Sequence, residues 1–153
     1  MRLVFGCDHA GFIMRENLAK WAEGQGHSVV KVGATSEEPY DYPIAADLAV
    51  EKLLAKEADF GVLVCGSGIG ISIRANRHNG IRAAHCLNEE MAAITREHNH
   101  SNVLCVGERE IAEDLAERIL QTFLNTPEDN AERHVRRVKE LDAALVEDLE
   151  RTK

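Results

Sequence analysis

Short apolar runs alternate with amphipathic stretches from one end of the chain to the other. The runs at 3–7, 28–32, 60–64, 81–86 and 103–106 have strand length, and 60–64 has the β-branched content of a strand buried on both faces. Between the first two, Phe12, Ile13, Leu18 and Trp21 recur among charges at near-helical spacing up to Gln25, with Gly26 placed to end the helix. After a polar loop over 33–41, Tyr42-Pro43 opens a helix through Ala45, Leu48, Ala49, Leu53 and Leu54, its proline near the first turn where a missing N–H does no harm. Asn88 is placed to cap a helix through Met91, Ile94 and Thr95 towards His98. A further helix is predicted over 111–123, and a last one over 130–149.

Strand and helix alternate throughout, the pattern of right-handed βαβ units. The fold expected is α/β: a three-layer αβα arrangement around a five-stranded parallel Rossmann-like sheet, with one domain over 1–153 and a long C-terminal helix. That last helix carries Val135, Val138, Leu141, Leu145 and Leu149 as one apolar stripe, which predicts packing beyond its own subunit. In sheets of this kind ligands bind beyond the carboxyl ends of the strands where the winding reverses. If the first and third strands are neighbours there, Asp8-His9 and Cys65-Gly66 share one crevice.

The chain has 153 residues, enough for one substantial core. Its formal net charge of −8 argues against broad contact with nucleic acid or an anionic membrane, so an anionic ligand must meet a local basic cluster. No signal peptide or spanning segment is apparent, which points to a cytoplasmic protein. Four cysteines, at 7, 65, 86 and 105, lie at or near strand-like runs without C-x-x-C spacing, as reduced thiols do. Seven histidines include His98 and His100, but without partners at zinc spacing, so no metal and no cofactor is expected.

The segment Cys65-Gly66-Ser67-Gly68-Ile69-Gly70 reads as strand, glycine loop and short helix, the helix ending before Asn79-Gly80. Glycines at 66, 68 and 70 let backbone N–H groups approach a bound group closely, and the helix terminus favours negative charge. A dinucleotide fingerprint fits poorly: the spacing is G-x-G-x-G, and the next strand ends in His85 where an acid would hold a ribose. Two readings of Cys65 remain, a buried thiol on a tight turn or a reactive group facing an oxyanion hole. Arg133 and Arg137, at i and i+4, are likewise either an ion-pairing solvated face with Glu132 and Glu140 or an anion site.

Taken together, Gly6-Cys7-Asp8-His9-Ala10-Gly11, Asp41-Tyr42-Pro43, the loop from Cys65 to Ile73, Gly80-Ile81-Arg82-Ala83-Ala84, His98-Asn99 and Asn102-Val103-Leu104 resemble the ribose-5-phosphate isomerase B family. That family also contains allose-6-phosphate isomerases and galactose-6-phosphate isomerase subunits. The resemblance implies a metal-free aldose–ketose isomerase of a phosphorylated sugar, its active site shared between the subunits of a homodimer, or of a dimer of such dimers. It implies that Cys65 is the base between C1 and C2, that loop 66–70, with Gly66, Gly68, Ile69 and Gly70, forms the anion hole, and that His98 opens the furanose. Asn99, Asp8 and His9 would contact the sugar, and His9, Arg109, Arg133 and Arg137 its phosphate. Tyr42 would line the pocket, and Ser67 would hydrogen-bond the reacting end or shape the turn. The family often has threonine at the position of Ser67, and smaller or acidic residues where His100-Ser101 stand, which leaves the sugar itself open. A nucleotide-binding module without turnover, and a thiol hydrolase pairing Cys65 with His98, are the readings from other classes.

Overall fold

The structure, a computed structural model, describes residues 1–143. Its strands are β1 (Arg2–Cys7), β2 (Ser28–Gly33), β3 (Phe60–Cys65), β4 (Ala83–His85) and β5 (Val103–Gly107), all parallel and ordered β2-β1-β3-β5-β4. A short 3-10 turn (His9–Gly11) leads into α1 (Phe12–Gly24), followed along the chain by α2 (Tyr42–Leu54), α3 (Ile69–Ala75), α4 (Glu89–Asn99), α5 (Glu113–Asn125) and α6 (Glu132–Asp142).

Successive strand residues point to opposite faces, so each central strand feeds two cores. Leu3, Phe5, Val62, Val64, Leu104 and Val106 meet Leu18 of α1 and Ile119, Leu120 and Phe123 of α5 on one side. Val4, Leu63, Cys65, Val103 and Cys105 meet Ala45, Ala49 and Leu53 of α2 and Ile71 of α3 on the other. The three layers expected from the alternation of elements are therefore present. Asn88 caps α4 as its position predicts, its Oδ1 accepting the Met91 N–H at 2.8 Å. Gly26, with φ +86°, ends α1 by donating to Glu23 O at 2.9 Å.

Three elements begin two residues later than the sequence reading places them. The strand expected over 81–86 is reduced to β4, because the Arg82 N–H is taken by Asn102 Oδ1 at 2.9 Å. The helix expected over 111–123 starts at Glu113, since the Gly107 carbonyl accepts the Glu110 and Ile111 N–H groups and holds that segment in a turn. The last helix begins at Glu132 rather than 130, after the Asp129 carboxylate accepts the Ala131 N–H at 2.9 Å. It is described to Asp142, so the part of the predicted helix holding Leu145 and Leu149 lies outside the described residues. Within the chain α6 buries His134 and Val138 and leaves Leu141 59% exposed.

The order β2-β1-β3 means that the chain leaves β1 in one direction and returns on its other side, and this reversal opens a crevice beyond the carboxyl ends of β1 and β3. Gly11 sets how closely the turn after β1 lies on β3: a methyl group there would stand 2.5 Å from Val64 O and 2.6 Å from Val64 C. Backbone cannot yield as a side-chain tip does. Gly11→Ala is expected to cost about 2 kcal/mol through overpacking. In a chain of this size that corresponds to a fall in Tm of roughly 5 °C, measurable by calorimetry.

Candidate active site

The reversal crevice holds a cavity of about 340 Å³ bordered by Asp8, His9, Tyr42, Cys65, Gly66, Ser67, Gly70 and Arg109, together with Ala10 and Glu110. The meeting of Asp8-His9 with Cys65-Gly66, conditional in the sequence on β1 and β3 being neighbours, is thus observed. Asp8 caps the 3-10 turn, its Oδ1 accepting the Gly11 N–H at 2.9 Å. Burial pushes its carboxyl up, against the opposing pull of that N–H. His9 Nδ1 lies 3.1 Å from both the N–H and the C=O of Tyr40, so one backbone residue can serve the imidazole in either tautomer.

Cys65 is the last residue of β3, and although 4% exposed it borders the cavity. Its Sγ is 3.1 Å from the Gly68 N–H, which donates to it. Gly68 can aim that N–H because it stands at φ +76°, in the left-handed region that L side chains rarely adopt. Ser67 Oγ accepts the Ile69 N–H at 3.2 Å and so shapes the turn. The loop is pinned to the end of β5 by Glu108 N–H to Cys65 O and Arg109 N–H to Gly66 O, both 3.0 Å. Burial pushes the Cys7 thiol up to about 11 and the Cys86 thiol to about 12, and it raises that of Cys105 as well.

The other anticipated residues stand elsewhere in the chain. Helix α4 starts beyond the carboxyl end of β4 and runs back, so His98 and Asn99 come just before β5 begins, at the amino edge of the sheet. The strand length between the edges sets them roughly 15 Å from Cys65. His98 is stacked on His134 of α6, with ring centroids 4.3 Å apart and 10° between planes. His134 Nε2 accepts from Arg133 Nε at 3.2 Å, and burial, then the neighbouring His98 and Arg133, hold this imidazole below its usual range. Asn99 borders a separate cavity with Arg82, Thr95 and Ser101. Among the described residues Arg109, Arg133 and Arg137 form no ion pair, and Glu140 is paired instead with Arg136 at 3.8 Å. The solvated ion-pair face open to Arg133 and Arg137 in the sequence is therefore not formed by them there.

A model of the Ribose/Galactose Isomerase family matches residues 3–141. The chain belongs to this family. It is 37% identical over 142 residues to the ribose-5-phosphate isomerase B of Escherichia coli K12, covering 93% of this chain and 95% of the relative. It is 32% identical over 148 residues to the galactose-6-phosphate isomerase subunit LacB of Clostridium acetobutylicum, covering 97% and 86%. Among solved structures, the ribose 5-phosphate isomerase of Thermotoga maritima superposes with a TM-score of 0.90 at 45% identity, over 92% of this chain and 97% of that one. The type B ribose 5-phosphate isomerase of Trypanosoma brucei does so at 0.90 and 40%, over 94% and 98%.

Sequence reasoning missed Tyr40, Glu110 and His85 at or behind the site. Tyr40 acts through its backbone, which leaves no trace in a side-chain pattern, and Glu110 carries no motif. His85 was visible only as the residue ending a strand. The cavity position of the Cys65 sulfur, set against the raised and buried thiols of Cys7, Cys86 and Cys105, predicts selective chemistry. Limited iodoacetamide at pH 8 should alkylate Cys65 ahead of the other three, as read by peptide mapping, and equal labelling of all four would contradict this placement.

Proposed function

We propose that the protein interconverts ribose 5-phosphate and ribulose 5-phosphate as a type B ribose-5-phosphate isomerase, with Cys65 as the base. The observation that carries this is a sulfur at the mouth of a glycine loop, 3.1 Å from a backbone N–H and bordering the same cavity as Asp8 and His9. In the aldose, the Cys65 thiolate takes the proton from C2, and the electrons move into the C1 carbonyl to give an enediolate. The thiol returns the proton to C1 while the proton of the C2 hydroxyl passes to O1, leaving the ketose and the thiolate. Charge grows on oxygen midway, and N–H groups of loop 66–70 stabilise it; one such preorganised donor is worth roughly 3 to 4 kcal/mol of barrier. The loop therefore matters as much as the base.

His98 opens the furanose before this step, with Asn99 beside it. Arg109, Arg133, Arg137 and His9 hold the phosphate by forked or charge-assisted donors, which a chain of net charge −8 needs as a local positive site. Asp8 and Tyr42 contact the sugar, and Ser67 shapes the turn of the loop. Since His98 and Cys65 lie at opposite edges of one sheet, a second copy supplies His98 to each site, making the protein a homodimer. Exposed Ile44, Ile69 and Ile73, at 51%, 53% and 61%, supply an apolar face beside the cavity for that contact. Binding through a distant phosphate holds C1 and C2 at the base, so phosphate contacts also contribute to the transition state.

Cys65→Ala should lower kcat by at least three orders of magnitude with sugar-phosphate binding retained, and full turnover in the variant would remove it as the base. Arg137→Ala should raise KM about ten-fold or more with a smaller change in kcat, the loss expected of one charge-assisted contact. An unchanged KM would remove its phosphate role. A panel of ribose 5-phosphate, allose 6-phosphate, galactose 6-phosphate and a tetrulose phosphate, compared by kcat/KM, tests the substrate directly. The highest value for any sugar but ribose would overturn that part of the reading.

A further inference from the structure

Behind the glycine loop, on the side away from the cavity, stands a group with no role in the chemistry above. His85 is the last residue of β4, two strands away from Cys65 in the sheet. A methyl group placed on Gly68 would lie 2.7 Å from His85 Cδ2 and 2.9 Å from its Nε2, so one edge of the imidazole lies against the turn. The same methyl would meet Val106 C at 2.9 Å, so β5 backbone closes the other side. His85 Nε2 is buried and, among the described residues, has no hydrogen-bond partner.

Gly68 is the residue whose N–H meets the Cys65 sulfur at 3.1 Å. Its left-handed backbone, φ +76°, would relax readily in a glycine left unbraced, because glycine has more conformations available than any other residue. A leucine or phenylalanine could fill the space without burying an unpaired ring nitrogen, which is costly in a folded interior. The polar edge therefore belongs to the function of the loop and not to core packing, which is served nearby by Val106 and Cys105.

We infer that His85 is a positioning residue for the isomerase reaction: its imidazole braces Gly68 from behind and so fixes the N–H that stabilises the Cys65 thiolate. This rests on the reading of Cys65 as the base. The donor strengthens when the sulfur is negative, since hydrogen bonds to an ionised group favour that form and lower its pKa. Loss of the brace must then show on the sulfur as well as on turnover.

The test compares His85→Ala, which removes the brace, with His85→Gln, which keeps length and a terminal N–H group. His85→Ala is expected to lower kcat ten- to a hundred-fold with KM changed less than three-fold. The pH midpoint of Cys65 alkylation by iodoacetamide should move upward in the same variant. His85→Gln should recover kcat to within about five-fold of wild type and restore the midpoint. An alkylation midpoint unchanged in folded His85→Ala, or a loss shared equally by both variants and matched by a drop in Tm, would overturn the inference. The alkylation readout needs no substrate, so it decides the role of His85 even if wild-type protein proves inactive on ribose 5-phosphate.

Discussion

The contact from the Gly68 N–H to the Cys65 sulfur is the constraint around which the rest of the site is arranged. It needs a residue at φ +76°, a conformation costing about 1 to 2 kcal/mol for any residue with a Cβ. It also needs room, and the three loop glycines provide it in three directions. A Cβ on Gly66 would lie 3.3 Å from Arg109 Nη1, one on Gly68 would strike His85, and one on Gly70 would lie 2.7 Å from Tyr42 Cζ. Each missing side chain is a place where another part of the site stands. The G-x-G-x-G spacing therefore describes the space around a sulfur, and it differs from a dinucleotide loop because its glycines admit side chains as well as a ligand.

The sheet supplies what the loop cannot. Parallel pairing of β3 with β5 puts Cys65 opposite Gly107, and a methyl group on Gly107 would meet Ser67 backbone at 2.5 Å, so the loop rests directly on the end of β5. On the other side, β1 delivers Asp8, whose carboxyl is raised by burial yet tied to the Gly11 N–H. Two strands that are distant in sequence thus set the relative positions of an acid and a thiol, while close packing of Gly11 on Val64 fixes the spacing between them. Rigidity here comes from backbone against backbone.

Much of this was legible in the chain because its periodicities are clean. Runs such as 60–64 and the caps at Asn88 and Gly26 declare strands and helix ends through local physics. The meeting of Asp8 with Cys65 followed from topology once β1 and β3 were neighbours. What could not be read was contact made through backbone or across unequal distances. Tyr40 serves His9 with main-chain atoms, His85 reaches Gly68 across β5, and His98 stacks on His134 from a different helix. The starts of α5 and α6 moved because the Gly107 carbonyl and the Asp129 carboxylate made local turns that outcompete helix propensity.

The separation of Cys65 from His98 follows from the βαβ unit. A helix joining parallel strands begins at the carboxyl edge and must return to the amino edge before the next strand can start. Helix α4 does so from Asn88 to Asn99, which carries His98 away from the loop by about the length of a strand. No side-chain rotation recovers that distance. On the proposed function one sugar must meet a ring-opening group at one end of its carbon chain and the sulfur at C2, within a few ångströms of each other. A single parallel α/β subunit with this residue order does not bring both groups to one sugar, so the second copy we propose is called for by the direction of a helix and not by surface chemistry alone. On the same proposal the exposed isoleucines of α2 and α3 are the apolar face offered to that second copy.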